Sequence, residues 1–524
     1  MRATTIKNLV NFLNNSVFGI IVIGVSNLFL RIVFINYSYI STDEGIALYN
    51  VRLAYQGLRP FFDYNGWNSL INDYLFGLPQ IFLTPTIISQ RYFALLISMI
   101  SFALTLRISY LVSGKRSLVW AALFVSFGSL TYTYFSNLPY STEMMTLGIL
   151  LTLLSFIVTS KSTDRYKFWL EIATCVLASI TVLIRSQMLP LPIIIWLLFL
   201  LQKKSLKAKI TFTVRALAIF LLVFLPFLFA SWEHTLYGLF WPFSAGKILL
   251  YVAHTSPHSL TLLTEYLRVY AQDYGLLTFL IICGIMSGTR NIKSFFGQLP
   301  LPIAALIILL TLFLVTSLIH HPAEAGYMYP AVPLFALCAA FFVSKAFEQN
   351  HQPTLKRYMQ LLIVFIIVAQ FLTYPHFKIM KTQLSSISKR PYDLLKIVNE
   401  FVLENSATND EILTFYLPAV ANIDRKTPLV LNEGQGSITI LDDNFARKFH
   451  LTSRGMLHEL ISTRRVKLIV FTDTFIYYFG VNDQERQETL KLITQNYVLA
   501  KEFTDFKSID GSKAKSLMIY KAVE

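Results

Sequence analysis

The chain has 524 residues, of which 54% are hydrophobic and only 14% are charged, and its mean hydropathy is +0.54. A soluble domain has about 45–50% apolar and about 25% charged residues, so this composition excludes a soluble globular protein and predicts an integral membrane protein. The net charge of +15 does not indicate nucleic-acid binding, because the sequence has no basic face interleaved with aromatic residues and no nucleic-acid motif.

The N-terminal apolar run predicts an uncleaved first transmembrane span. It follows Arg2 and Lys7, and no small-residue cleavage site comes after it. All three cysteines lie within apolar runs, and their spacing indicates neither a metal site nor a disulfide framework: Cys175, Cys283 and Cys338.

Apolar runs predict about eleven transmembrane helices. The runs near the length that crosses about 30 Å of hydrocarbon lie at about 17–36, 88–112, 118–136, 143–160, 210–231, 299–320, 326–344 and 358–375. Three shorter or interrupted runs complete the count, at about 168–184, 188–201 and 274–288.

Basic residues fall in alternate loops between these runs. The clusters are Lys115 and Arg116; Lys161, Arg165 and Lys167; Lys203, Lys204, Lys207 and Lys209; Arg290 and Lys293; and Lys345, Lys356 and Arg357. The positive-inside rule places all of these loops in the cytoplasm when the N-terminus is cytoplasmic. The loops at 37–87 and 231–274 and the chain after Pro375 are then extracytoplasmic.

The composition changes after His376, where charged residues become frequent. We therefore expect a transmembrane domain over residues 1–380 and a small soluble α/β domain over residues 381–524, which begins near Arg390. The predicted helices are 392–405, 456–463 and 483–495, and the predicted strands are 412–416, 429–432, 467–472 and 516–521. Gly434 and Gly436 lack the context of a phosphate-binding loop.

A polar segment follows the first span and holds the strongest candidate for chemistry. Ser41 and Glu44 have the spacing of a capping box, which predicts a helix that begins at about Thr42 and ends near Gly57. Asp43 and Glu44 then lie in its first turn, where acids also favour the helix dipole without any catalytic role. Arg52, further along this helix, is expected to face lipid headgroups.

These motifs together resemble the C superfamily of polytopic membrane glycosyltransferases (GT-C). The resemblance rests on Asp43-Glu-Gly-Ile-Ala-Leu-Tyr49, on Gly57-x-x-Pro-Phe-x-Asp63, on a second loop ending in Glu143, and on Tyr327-Met-Tyr-Pro-Ala-Val-Pro333. It extends over the whole chain in layout, and its nearer relatives would be the bacterial protein mannosyltransferase-like and aminoarabinose transferase-like enzymes. The chain departs from them at residues 64–69, where relatives often have a proline-rich segment.

The resemblance implies an inverting glycosyltransferase of the bacterial inner membrane. Such an enzyme moves a sugar from a polyprenyl-phosphate donor to an extracytoplasmic lipid, glycan or protein acceptor. Its motif makes Asp43 the candidate catalytic base. The candidates for substrate binding are Glu44, Asp63, Glu143, Arg59, Arg185, His320, His321 and Tyr327. Each acid among them has an alternative interpretation as a solvated loop residue.

The departing phosphate needs cationic partners. Arg185 is the leading candidate, because a charge at a turn between two apolar helices is costly unless it is partnered; snorkelling to the interface is its alternative. The other candidates on this face are Arg59, Arg91, Lys247 and Arg268. No cofactor is required for a monophosphate leaving group, and a divalent cation is left open, with candidate ligands His320, His321 and Glu324.

Two other classes of function are compatible with this layout. One is a lipid or polysaccharide transporter without catalysis, which would place ionisable residues near the membrane midplane on broken helices. The other is an oligosaccharide polymerase or ligase, which would centre on a large extracytoplasmic loop. Loop acids beside a soluble domain favour the glycosyltransferase.

Overall fold

The computed structural model describes residues 16–66, 69–139, 141–162, 164–202, 205–248, 274–282, 329–349, 390–504 and 514–523, with isolated positions at 300–311, 360–365, 506 and 509. The helices of its N-terminal part are α1 (Ser16–Tyr37), α2 (Thr42–Tyr55), α3 (Asn72–Gly77), α4 (Ile87–Ser113), α5 (Ser117–Phe127), α6 (Leu130–Phe135), α7 (Ser141–Lys161), α8 (Asp164–Ile184), α9 (Pro190–Leu200), α10 (Leu206–Ala230), α11 (Trp232–Ile248) and α12 (Val332–Gln349). Residues 274–282 are also helical.

Six helices in the described ranges are long and apolar enough to cross a membrane: α1, α4, α7, α8, α10, and α12 with the turn before it. They coincide with predicted apolar runs, which confirms a helical polytopic membrane protein. The count of eleven spans stays a prediction, because most residues of the runs at 299–320 and 358–375 lie outside the described part of the chain.

Two predicted segments differ from the structure. The run at 118–136 is two helices, because α5 ends at Phe127 and the Ser129 hydroxyl accepts a hydrogen bond from the Tyr132 amide (3.1 Å) to cap α6. The expected loop at 231–274 begins with α11, whose first turn is held by the Ser231 hydroxyl against His234 Nδ1 (2.8 Å).

The helix bundle has a basic end and an opposite end that carries residues 390–523. At the basic end, Lys161 donates to the Leu111 carbonyl, and Arg116 pairs with Glu348 (Nη1–Oε1 3.4 Å). At the opposite end, the Ile87 amide donates to Asn422 Oδ1 (3.0 Å). In the part of the chain that the structure describes, the loops therefore alternate between the two ends as the basic clusters predict.

The C-terminal part forms a four-stranded mixed sheet with helices on both faces. Its elements are α13 (Pro391–Glu404), β1 (Ile412–Thr414), α14 (Pro418–Ala421), α15 (Asp443–Lys448), α16 (Arg454–Ser462), β2 (Leu468–Thr472), α17 (Asp483–Asn496), β3 (Tyr497–Phe503) and β4 (Leu517–Ala522). The strand order is β1-β2-β4-β3, and only β1 and β2 are parallel.

The sheet separates two apolar clusters because side chains alternate between the faces of a strand. Leu468 and Val470 of β2 pack with α13, whereas Ile469 and Phe471 pack with α16 and α17. The first cluster also contains Leu48, Tyr49 and Leu53 of α2. Helix α2 thus shares a core with the sheet, which fixes its position at this end of the bundle.

One predicted strand was wrong and one observed strand was not predicted. Residues Leu429–Leu431 form a 3₁₀ turn after Pro428, and the next side chain, Asn432, donates to Asn50 and to the Asn65 carbonyl instead of entering a sheet. Strand β3 was not predicted, because it is an edge strand whose side chains are mostly exposed and partly charged.

Candidate functional site

The first turn of α2 is closed by the predicted capping box. The Glu44 amide donates to the Ser41 hydroxyl (3.4 Å), and the Ser41 amide donates to Glu44 Oε1 (3.1 Å). These two bonds satisfy amides that the start of a helix leaves unpaired. Gly57 follows the helix at φ +89°, a conformation that glycine adopts without strain. The sequence-based bounds of this helix are therefore confirmed.

Glu44 lies in a buried ion pair with Arg91 of α4. Arg91 Nε is 2.6 Å from Glu44 Oε2 and Arg91 Nη2 is 2.8 Å from Oε1. The guanidinium also donates to the carbonyls of Ile35 (2.8 Å) and Tyr39 (2.6 Å), which end α1 and lead into α2. The pair therefore ties the ends of three helices together, and Glu44 supports the turn that carries Asp43.

Asp43 has the opposite environment, since its side chain is exposed while Glu44 is fully buried. Consecutive residues of an α-helix point about 100° apart, so anchoring Glu44 in the protein turns Asp43 away from it. The carboxylate stands at a helix N-terminus, where the dipole favours its negative charge. An exposed carboxylate in this position is able to accept a proton from a hydroxyl group.

The other face of α2 is fixed against the C-terminal sheet unit. A Cβ atom added at Gly45 would lie 2.3 Å from the Pro418 nitrogen, so only glycine allows this approach. Arg52 is 14% exposed, and its guanidinium donates to the Ile423 carbonyl (2.5 Å) and to Asp424 Oδ1 (3.1 Å). The expectation that Arg52 faces lipid headgroups was wrong, because the end of α14 supplies acceptors for it.

Arg59 and Asp63 pair with each other. Arg59 Nε lies 3.0 Å from Asp63 Oδ2 and Nη2 lies 3.2 Å from Oδ1, while the Arg59 amide also donates to Oδ2 (2.8 Å). These bonds close the turn after α2, and hydrogen bonding to Arg59 lowers the pKa of Asp63. Substrate roles for both residues stay a prediction.

Four buried polar side chains connect this turn to the C-terminal unit. Glu433 accepts from the Asn50 and Asn65 amides (both 3.2 Å), and Asn432 donates to Asn50 Oδ1 (2.7 Å) and to the Asn65 carbonyl (2.8 Å). A network of this kind specifies one docking geometry, because each buried polar group needs its partner.

Asp73 is a second buried carboxylate near α2. It accepts a hydrogen bond from the Tyr64 hydroxyl (2.8 Å), and that hydroxyl also reaches the Asn50 carbonyl (3.3 Å). Burial raises the pKa of Asp73 to about 6. Asp73 is therefore an ionisable group with a pKa close to neutral pH beside the candidate site.

Arg31 and Glu143 are buried ionisable residues of the helix bundle. Arg31 is 2% exposed and donates to Asn27 Oδ1 (2.7 Å), to Ser98 Oγ (2.9 Å) and to Ser136. Glu143 is 1% exposed, interacts electrostatically with Arg31, and its Oε2 has no hydrogen-bond partner among the described residues. An ionisable pair at this depth is costly and is typical of functional sites.

Arg185 ends α8 at the same end of the bundle as α2. Its side chain is 5% exposed, and its Nε donates to Gln187 Oε1 (2.7 Å). The Leu70 amide donates to the Leu183 carbonyl (3.0 Å), which brings the loop after α2 against the end of α8. Burial of Arg185 agrees poorly with snorkelling, which would leave its guanidinium in water.

The remaining predicted site residues lie outside the described residues: His320, His321, Glu324, Tyr327 and Arg268. The backbone of Lys247 is helical, but its side chain is not described. Among the described residues no group of three or more His, Cys, Asp or Glu side chains has the arrangement of a metal site. The divalent cation therefore stays a prediction.

Three hydrogen-bonding or ion-pair partners in this region were not predicted from the sequence. Arg91 was recognised as a cation but not as the partner of Glu44, since 47 residues separate them. Arg31 carried a usable signal, because an arginine inside the first apolar run needs a partner. Glu433 had no such signal, because an acid in a polar loop is ordinarily solvated.

Comparison with known proteins finds similarity at the level of structure. No family model and no curated protein matches the sequence. ArnT from Cupriavidus metallidurans bound to undecaprenyl phosphate aligns with a TM-score of 0.60 and 10% identity, over 96% of this chain and 97% of that one. The Archaeoglobus fulgidus oligosaccharyltransferase in the apo form aligns with a TM-score of 0.56 and 14% identity, over 93% and 73%.

A third structure, AglB from Archaeoglobus fulgidus in complex with an inhibitory peptide and a dolichol-phosphate, aligns with a TM-score of 0.54 and 13% identity, over 89% and 72%. ArnT and AglB are both membrane glycosyltransferases of the GT-C fold. The alignments include the membrane helices and the C-terminal unit together. The chain therefore shares its overall fold with ArnT and AglB.

Proposed function

We propose that this protein is an inverting glycosyltransferase that moves a sugar from a polyprenyl-phosphate donor to an extracytoplasmic acceptor. The observation that carries the proposal is the pair of adjacent acids on α2, in which Glu44 is buried and fixed by Arg91 while Asp43 is exposed at the helix N-terminus. Support comes from solved structures of this fold that hold undecaprenyl phosphate or a dolichol-phosphate.

The chemistry assigns the base role to Asp43. Its carboxylate takes the proton of an acceptor hydroxyl as that oxygen attacks the anomeric carbon. The bond between this carbon and the phosphate oxygen breaks on the opposite side, which inverts the anomeric centre. The products are the glycosylated acceptor and polyprenyl phosphate, so no acid needs to protonate the leaving group.

The departing phosphate gains negative charge and requires a cation. Arg185 is the described residue that fits best, because it is buried at the same end of the bundle as α2 and a guanidinium contacts two phosphate oxygens at once. Arg59 is held by Asp63 and is more exposed, so it ranks below Arg185. Lys247 and Arg268 are the other candidates from the sequence.

The transporter is the second candidate, and the Arg31 and Glu143 cluster favours it. Ionisable side chains inside the bundle are typical of transport pathways. Both residues, however, belong to a polar cluster that connects α1, α4 and the segment leading into α7. A rigid support for a catalytic loop requires the same kind of cluster. Its six members are Asn27, Arg31, Ser98, Ser136, Asn137 and Glu143.

The location we propose is the bacterial inner membrane, with the N-terminus in the cytoplasm and Asp43 and the C-terminal unit outside. The support is the placement of basic clusters at the end of the bundle opposite to residues 390–523. A cysteine introduced at the exposed Lys501 should react with a membrane-impermeant reagent on intact spheroplasts. Reaction only after lysis would refute this orientation.

The function is tested by mass spectrometry of lipid-linked sugars and surface glycans in a strain that lacks the protein. A glycosyltransferase predicts that one polyprenyl-phosphate sugar accumulates and that one glycan loses that sugar, with rescue by the parent but not by Asp43→Asn. A transporter predicts rescue by Asp43→Asn as well. A polymerase predicts a change in glycan chain length with no loss of a single sugar type.

A further inference from the structure

The C-terminal unit contains a cavity that the proposed reaction does not use. It has a volume of about 210 Å³ and opens between the segment 438–441, the start of α16 and the start of α17. This volume is below the roughly 300–1,000 Å³ of sites for drug-sized ligands, so it suits a single small ring. No part of α2 lines it.

The polar lining of the cavity combines acceptors with a donor. Asp443 accepts from the Ser453 hydroxyl, and Glu485 accepts from the Val481 amide (2.8 Å). Arg454 lies 3.6 Å from Glu485 through Nη1, and its second Nη pairs with Glu488. The Arg454 Nε–H is buried and has no hydrogen-bond partner among the described residues. A donor of this kind is costly to leave unsatisfied.

Apolar side chains form the rim of the cavity. Ile440, Leu441 and Val481 are 45%, 37% and 54% exposed, which leaves an apolar surface beside the charged groups. Gly455 leaves space inside the cavity, because a Cβ atom added at this position would lie 3.0 Å from Asp443 Oδ1.

This lining disfavours two ligand classes. Two carboxylates against one guanidinium disfavour an anion such as a phosphate or sulfate group. A metal ion is disfavoured because the described residues contain no cluster of three His, Cys, Asp or Glu ligands. The lining matches the chemistry of a pyranose ring, because ring hydroxyls donate to carboxylates such as Asp443 and Glu485 and accept from a guanidinium, while the C–H face of a ring packs on apolar side chains such as Leu441.

We propose that this cavity is a second carbohydrate site, which holds a neutral or amino-bearing pyranose of the acceptor away from the reacting centre. The inference rests on the proposed function only where it identifies the bound sugar as part of the acceptor. Binding of a sugar to the cavity is measurable without any transfer reaction. An acceptor that carries sugar residues would then contact the protein at two places, which raises its effective concentration at Asp43.

The test is saturation-transfer NMR on the full-length protein in nanodiscs, with methyl glycosides of glucose, mannose, N-acetylglucosamine and glucosamine as probes. The parent should transfer saturation to at least one glycoside. Arg454→Gln should weaken binding by about tenfold or more, the range expected for losing a charged hydrogen bond. Leu441→Ser should also weaken binding, because it removes apolar surface that the C–H face of the ring would cover. Leu441→Ser is the independent variant should Arg454→Gln fail to fold.

Two control variants locate the signal. Arg447 of α15 is exposed and does not line the cavity, so Arg447→Gln should keep glycoside binding. Asp43→Asn should also keep it. The inference is overturned if the parent binds no glycoside, if both cavity variants bind as the parent does, or if Asp43→Asn alone abolishes binding. Glycoside binding here in a protein that transfers no sugar would overturn the proposed function and leave this inference standing.

Discussion

Arg91 and Glu44 form a bidentate ion pair in which the side chains are 1% and 0% exposed. The pair joins α4 to the first turn of α2, one residue after Asp43. Because a buried pair of this geometry has little freedom, it fixes the direction in which the neighbouring exposed carboxylate points. The orientation of the proposed base is thus set by a residue of another helix.

Glu44→Gln should strongly destabilise the protein, because it leaves the Arg91 charge buried without compensation. The expected loss is about 3–5 kcal/mol of unfolding free energy, measured as a lower thermal midpoint in nanodiscs. Asp393→Asn breaks the half-exposed pair with Arg390 and should cost no more than about 1 kcal/mol. Equal midpoints for Glu44→Gln and Asp393→Asn would contradict the supporting role of the pair.

Gly45→Ala should loosen the contact between α2 and the C-terminal unit. The added carbon would lie 2.3 Å from the Pro418 nitrogen and 2.4 Å from its Cδ, neither of which is at the end of a flexible side chain. Overpacking of this kind costs about 1–3 kcal/mol. Gly24→Ala on α1 is the matched control, because its nearest neighbour is 3.8 Å away. Gly45→Ala with unchanged thermal stability and unchanged protease resistance at residues 405–430 would refute this packing.

Asp73 should make the protein less stable as the pH rises through about 6. Its folded-state pKa is about 6, above the ordinary 3.8, because burial disfavours the carboxylate. Its contribution to stability is therefore fully present below about pH 4 and is lost as the pH rises through about 6. Asp73→Asn removes this loss. The thermal midpoint of Asp73→Asn minus that of the parent should therefore be larger at pH 7.5 than at pH 4.5. The same difference at both pH values would show that Asp73 does not titrate in this way.

Arg185→Lys should lower turnover by more than it weakens donor binding. A guanidinium contacts two phosphate oxygens, and that contact matters most when charge has moved onto the leaving group, so kcat should fall more than donor affinity. Arg107→Lys, at an exposed arginine of α4 that stacks on Tyr110, is the control and should behave as the parent. Transfer by Arg185→Lys within about twofold of the parent would move the phosphate role to Arg59, Lys247 or Arg268.

Features encoded by neighbouring residues were predictable from the sequence. The start of α2 followed from Ser41 and Glu44, since a capping box requires only a spacing of three residues. The apolar spans and the strand at residues 468–472 followed from runs of apolar or β-branched residues. Alternating basic clusters placed the loops at opposite ends of the bundle.

Features that depend on distant residues were not predictable. Arg52 has the spacing of an interfacial arginine, yet its acceptors lie about 370 positions away at the end of α14. The pattern of residues 429–432 predicts a strand, but the Asn432 side chain donates hydrogen bonds to Asn50 Oδ1 and to the Asn65 carbonyl. The capping-box spacing distinguishes Glu44 from Asp43, but burial of Glu44 against Arg91 depends on a residue 47 positions away.

Replacing the Asp43 carboxylate tests whether this residue is the base for sugar transfer. The measurement is the transfer rate of purified Asp43→Asn in nanodiscs, with the donor and acceptor identified from the deletion strain. Asp393→Asn, which changes another acid in the first turn of a helix, serves as the control and should retain the parent rate. We expect Asp43→Asn to lose about a hundredfold or more in rate with an unchanged thermal midpoint. A folded Asp43→Asn protein that transfers sugar within about tenfold of the parent rate would show that Asp43 is not the base.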